Sequence, residues 1–226
     1  MSSNHGHHHD HDHDHDHTHG HDHPHSPPAP DDDDGYDRYE VLLQTAIREL
    51  LDEKGIITAA ELHEQIDKQD SLSPAIGGKI VAKAWVDPAF KKQLLADPLK
   101  TINQHFELDI ITPLELVVLE NTPTVHNVVV CTLCSCYPRM LLGIPPAWYK
   151  SLDYRSRVVV EPRKVLAEFG TDIPDSVEVR VSDSTADLRF LVLPNRPNDT
   201  EGMTEAQLAD LVTRDSMIGT SVARQP

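Results

Sequence analysis

The chain has 226 residues, 38% hydrophobic and 25% charged, with 37 acidic side chains against 20 basic ones and a formal net charge of −17. That length allows one medium domain plus appendages. The acidic balance argues against nucleic-acid binding and against docking on anionic membranes. No apolar run reaches bilayer length and nothing at the start resembles a signal peptide, so the expected location is the cytoplasm.

Residues 1–34 are of low complexity and hold nine aspartates and no lysine or arginine. Twelve histidines fall between His5 and His25. His7 and His9 lie in the first part of this run, and His11, His13, His15 and His17 alternate with Asp12, Asp14 and Asp16. Nothing here can bury apolar surface, so disorder is expected. Imidazoles at this density bind Zn, Ni, Co or Cu ions loosely. The segment reads as a native metal-collecting tail or as a purification tag.

Helices dominate the next stretch. Val41, Leu42, Leu43, Ala46, Ile47, Leu50 and Leu51 have helical spacing over 36–54, and Gly55 stops the run. Thr58 and Glu61 form a capping-box pair that opens a second helix through about 68. Ser73-Pro74 starts a third, to about 86, and Asp87-Pro88 and Asp97-Pro98 each place proline after an N-cap aspartate. Isolated amphipathic helices must bury their apolar stripe somewhere, so this arm is expected to wrap a partner.

The pattern then changes to strands. Residues 114–119 and 125–131 are apolar and Val-rich. Gly143 and Pro145-Pro146 precede a helix expected over 148–157, and another spans 162–169. Val177, Val179 and Val181, then Leu188, Phe190 and Val192, alternate with mostly polar residues as two strands joined by a short turn. A last helix follows Thr204. The fold class expected is α+β: an N-terminal helical arm followed by a mixed α/β layered domain carrying a Cys-loop metal site. Domains are expected at 1–34 (tail), 35–110 (helical region) and 111–226 (metal-binding catalytic domain).

All three cysteines of the chain, Cys131, Cys134 and Cys136, lie within the run Cys131-Thr132-Leu133-Cys134-Ser135-Cys136. A turn this tight can aim three thiolates at one ion, and the amide nitrogens of Ser135 and Cys136 lie between the sulfurs. Amide nitrogen binds only without its proton, which favours Co(III) or Fe(III) over Zn(II). Three sulfurs and two nitrogens leave one octahedral position for water or substrate, as catalytic metals require. A zinc site completed by His126 and a Cys131–Cys134 redox pair stay open as alternatives.

The run from Val128 through Pro138 resembles the metal-binding signature of the nitrile hydratase alpha subunit. The likeness continues through Gly143–Lys150, Tyr154-Arg155-Ser156-Arg157, Val165–Gly170, Val179–Ser184 and Ala209–Ser216. It covers residues from about 36 to the C-terminus and leaves the His-rich tail outside. The resemblance implies a lyase that hydrates small-molecule nitriles to amides at a non-corrinoid Co(III) or non-haem Fe(III) centre. Thr132 is the letter of the cobalt type. The implied ligands are the three sulfurs with the amides of Ser135 and Cys136. Cys134 would be a sulfinic acid and Cys136 a sulfenic acid, changes that alter donor strength at sulfur.

The resemblance further implies a beta subunit in an αβ or α2β2 assembly, supplying arginines to the sulfur oxygens and much of the substrate pocket. An activator or metallochaperone is a further implied partner. Cys136 and Ser135 are the candidate catalytic residues, with attack by water or by the Cys136 sulfenate left open. Ser135 orients a water or ligand, or simply lets the loop fold tightly. Arg139-Met140 stands where the family commonly has Trp-Pro, and Ser182 where it often has Trp. Arg139 either favours a polar substrate or pairs with the beta subunit, and Trp148 either lines the substrate channel or anchors the core. Thiocyanate hydrolase, whose gamma subunit resembles the same motif, is the rival in chemistry. A metal storage or delivery protein acting through the tail is the rival of another class.

Overall fold

The computed structural model describes residues 38–108, 110, 112–134 and 136–226. The tail histidines His7, His9, His11, His13, His15 and His17, and Ser135 of the cysteine loop, lie outside these residues.

The helical arm begins with α1 (Arg38–Glu53) and α2 (Ala59–Ser71). Thr58 caps α2: its Oγ1 accepts from the Glu61 amide at 3.2 Å, and the Glu61 carboxylate accepts from the Thr58 amide at 2.8 Å. Val41, Leu42, Leu43, Ile47 and Leu50 of α1 are all exposed, so its apolar stripe finds little cover among the described residues.

The next three helices, α3 (Pro74–Val86), α4 (Pro88–Ala96) and α5 (Pro98–Phe106), start where serine–proline and aspartate–proline pairs place them. Asp87 accepts from the amides of Ala89 and Phe90, and Asp97 from that of Lys100. Each such cap is worth about 1 kcal/mol.

Four strands follow: β1 (Glu115–Glu120), β2 (Val125–Val130), β3 (Glu178–Asp183) and β4 (Leu188–Leu193). The expected turn between β3 and β4 exists, but the two strands do not pair with each other. β1 pairs with β4 and β2 with β3, both parallel, in registers Glu115↔Leu188 and Val125↔Glu178. Parallel strands are covered on both faces and carry continuous apolar runs. Val128–Val130 and Leu191–Leu193 are such runs, and all six residues are buried.

The β2-to-β3 crossing carries α6 (Arg139–Leu142), α7 (Ala147–Lys150), α8 (Leu152–Arg157) and α9 (Pro162–Glu168). The single helix expected over 148–157 is broken at Ser151. That residue is extended (ψ 143°), and its hydroxyl accepts from the Tyr154 amide to start α8. The chain closes with α10 (Glu205–Leu211), capped by Thr204 and Gln207, and α11 (Arg214–Ile218). The short α6 and α11 have no counterpart in the sequence reading.

One core joins both halves. Ile80, Phe90, Leu94 and Ile102 from α3–α5 share it with Val128, Val130, Leu191, Leu193, Leu141, Tyr149 and Met217. Gly219 ends α11 at φ +93°, and a Cβ there would stand 2.0 Å from the Asn127 carbonyl oxygen. Glycine is therefore required for α11 to lie against β2.

Candidate metal centre

β2 is buried along most of its length and delivers the chain straight into the cysteine loop. Cys131, its first residue, is buried, Cys136 is half-buried and Cys134 is exposed. The three sulfurs all lie within 4.8 Å of one another. Cys134 Sγ is 3.4 Å from Cys131 Sγ and 3.1 Å from Cys136 Sγ, so no disulfide joins them. The Cys134 amide donates to Cys131 Sγ at 3.3 Å.

Other elements hold the loop from outside. Asp183, the last residue of β3, accepts from the Thr132 amide at 2.9 Å and the Thr132 hydroxyl at 2.5 Å. The Ser184 amide donates to the Val130 carbonyl at 2.7 Å. Tyr149 of α7 donates its hydroxyl to the Cys136 carbonyl at 2.9 Å, and Tyr154 of α8 donates to the Val129 carbonyl at 2.7 Å. Arg155 Nη1 donates to the Cys134 carbonyl at 3.4 Å. Burial pushes the hydroxyls of Tyr149 and Tyr154 far above the ordinary tyrosine value, so both stay neutral donors.

The Cys136 thiol resists ionisation when no cation is beside it. Burial first, then hydrogen bonds to the neighbouring Cys134 and Cys131 thiols, push the Cys136 thiol up to about 12, and the Arg189 guanidinium opposes this weakly. A highly charged metal ion would reverse that balance, because its charge stabilises thiolates that otherwise repel one another. Three converging sulfurs fit such an ion. Cys131, Cys134 and Cys136 are the only group of at least three potential ligands found among the described residues.

The remaining expected site residues fall elsewhere. His126 is buried; its Nε2–H donates to the Gly219 carbonyl at 2.7 Å, and Nδ1 accepts from Asn121 at 3.3 Å. Both ring nitrogens are therefore committed to α11 and to the turn after β1, which removes the basis for a fourth zinc ligand at this position. Trp148 stands edge-on to Tyr154 and Phe169, with centroids 4.9 and 4.7 Å apart, in an aromatic cluster behind the loop. Trp148 is half-buried and packs within this cluster. Arg139 opens α6, is exposed, and has no ion-pair partner among the described residues. Asp183, Tyr149 and Arg155 were not singled out from the sequence. The only signal they gave was membership in the matched runs, because each meets the loop only after the chain has folded.

A family model described as "Nitrile hydratase, alpha chain" matches residues 38–221. The low-molecular-weight cobalt-containing nitrile hydratase subunit alpha of Rhodococcus rhodochrous is 52% identical over 182 residues, 80% of this chain and 87% of that one. The thiocyanate hydrolase subunit gamma of Thiobacillus thioparus is 44% identical over 193 residues, 81% of this chain and 79% of that one. A solved double mutant of the Fe-type nitrile hydratase from Comamonas testosteroni Ni1 superimposes with a TM-score of 0.76 at 43% identity, covering 82% of this chain and 92% of its own.

Proposed function

This chain belongs to the nitrile hydratase alpha-chain family, and from that premise we propose that it is the metal-bearing subunit of an enzyme that hydrates nitriles to amides. The observation that carries the reading is the meeting of three cysteine sulfurs at the end of β2. Cobalt is the favoured metal, with Fe(III) the alternative. The cobalt-containing relative supports this choice, as does Thr132, whose two bonds to Asp183 define the start of the loop.

Cys131, Cys134 and Cys136 would hold the ion, with the amides of Ser135 and Cys136 as the implied nitrogen donors. Bound there, the ion supplies Lewis acidity toward a nitrile or a water. The chain's own residues do the rest. Buried Cys131 is shielded, whereas exposed Cys134 and half-buried Cys136 can meet an oxidant. That gradient accords with sulfinic acid at Cys134 and sulfenic acid at Cys136, and the attacking oxygen comes from water or from the Cys136 sulfenate. Ser135 orients a water or ligand. The tyrosines behind the loop fix its backbone so that the sulfurs stay convergent, and the catalytic portion is taken as 111–226.

The beta subunit completes the site. Leu133 at the loop apex is 84% exposed and Leu152 at the start of α8 is 76% exposed, apolar surface that suits a protein partner. An αβ or α2β2 assembly, an activator for metal loading and a cytoplasmic setting belong to the same proposal. No helix of the described residues is long and apolar enough to cross a membrane. The histidine-rich tail is assigned to metal collection. Exposed Arg139 is assigned to the partner-facing side of the pocket.

Co-expression with the beta subunit in cobalt medium tests the reading. Amide formation from a panel of nitriles is expected. Turnover of thiocyanate without turnover of any nitrile would transfer the chain to thiocyanate hydrolase chemistry, and tight metal binding with neither activity would make it a delivery protein.

A further inference from the structure

Two arginines of α8 lie two positions apart and have opposite fates. Arg157 binds three carboxylates: Asp153 at 3.2 Å, Glu161 at 2.9 Å and Glu168 at 3.0 Å. Arg155 binds none among the described residues. Its Nε donates to the Ser151 carbonyl at 3.3 Å, and its Nη1 reaches the Cys134 carbonyl at 3.4 Å. Arg155 is half-buried, pairs with no carboxylate among the described residues, and rests its guanidinium on the backbone of the cysteine loop itself.

The oxygen it touches is significant. The Cys134 carbonyl and the nitrogen of residue 135 form one peptide group, and resonance shares charge between them. Three thiolate charges balance a trivalent ion, and each peptide nitrogen serving as an anionic donor leaves one negative charge over. The charge on nitrogen 135 spreads onto the oxygen that Arg155 holds. Arg189, also near the loop, is already tied to the carbonyls of Thr185, Ala186 and Leu188.

We propose that Arg155 is a positioning residue that supplies this chain's counter-charge to the sulfur–nitrogen claw. Its guanidinium fixes the peptide plane after Cys134 and offsets the excess negative charge of the loaded donor set. The role rests on the metal-bearing reading above and is separate from the partner subunit's contacts to the sulfur oxygens. Arginine suits it because the planar fork can hold the Ser151 and Cys134 carbonyls together.

The test compares co-expressed complexes carrying wild-type chain, Arg155→Lys and Arg155→Gln, each prepared with and without cobalt and each lacking residues 2–34 so that tail-bound metal does not count. Cobalt per complex, the sulfur-to-cobalt charge-transfer absorption and the melting of the cobalt-free complex are read. Arg155→Gln should weaken cobalt binding about 10–100-fold, as outer-shell losses do, seen as lower occupancy at limiting cobalt, and shift the absorption of whatever metal remains. Arg155→Lys should recover most of the loading, and all three cobalt-free complexes should melt together. Wild-type loading and an unshifted band in Arg155→Gln would overturn the proposal. So would equal losses in both variants matched by lower melting of the cobalt-free complexes, which would reduce Arg155 to a packing role. A wild-type complex without cobalt would strike the functional reading itself.

Discussion

The Asp183 carboxylate accepts both the amide and the hydroxyl of Thr132, at 2.9 and 2.5 Å, across 51 residues of sequence. Asp183 sits in register opposite Val130, so the end of β3 grips the loop two residues beyond the end of β2. The parallel strand pair and the candidate metal centre are thus one construction.

Breaking this clamp should affect metal more than folding. Asp183→Asn keeps one acceptor but loses the charge, and Thr132→Val removes the hydroxyl donor. Both should weaken cobalt binding about 10–100-fold, the usual cost of losing an outer-shell partner, and so lower occupancy at limiting cobalt, while Thr132→Ser retains it. Elemental analysis of complexes without residues 2–34 checks the order. Full loading of Asp183→Asn would show that the clamp is dispensable.

The exposure gradient across the three cysteines predicts their oxidation. Peptide mass spectrometry of the cobalt-loaded complex should find the sulfinic increment on Cys134, the sulfenic increment on Cys136 and none on Cys131. Three plain thiols in an active preparation would contradict this.

His126 gives a pH dependence. Desolvation lowers its pKa in the fold, and the Gly219 carbonyl only partly offsets this. The unfolded chain titrates near 6.5 and binds the proton more readily than the fold does. The stability contributed by neutral His126 is therefore present above about 6.5 and is lost as pH falls through that value toward the lower folded pKa. Melting temperatures of the cobalt-free complex should drop from pH 7.5 to 5.5. His126→Leu should flatten that dependence and cost about 1–3 kcal/mol at pH 7.5 by leaving the Gly219 carbonyl unpartnered. An equally steep slope in the variant would place the titration elsewhere.

Much of this was legible in the sequence, for reasons that are local. Asp87-Pro88 and Asp97-Pro98 state helix starts in two letters, and the cysteine run states donor chemistry in six residues. The strand partners were not legible, because parallel pairing is set by what covers both faces and the alternation in β3 resembles that of a hairpin. Ser151 reads as helical until its hydroxyl caps the next helix. Asp183, Tyr149 and Arg155 carry ordinary letters, and their meaning comes from which carbonyl or amide the fold brings to them.

Deleting residues 2–34 should leave turnover unchanged when cobalt is plentiful and lower loading when it is scarce. Imidazoles at this density raise the local metal concentration without building the catalytic site. Titrating cobalt in the growth medium and measuring occupancy checks this, and identical curves for both chains would remove the collecting role.

The central claim is tested most directly by cobalt-edge X-ray absorption on the co-expressed complex lacking residues 2–34. The account predicts a trivalent edge with sulfur neighbours from Cys131, Cys134 and Cys136 and lighter nitrogen or oxygen atoms completing the shell. A divalent edge with only nitrogen and oxygen neighbours, or an active complex holding neither cobalt nor iron, would contradict it.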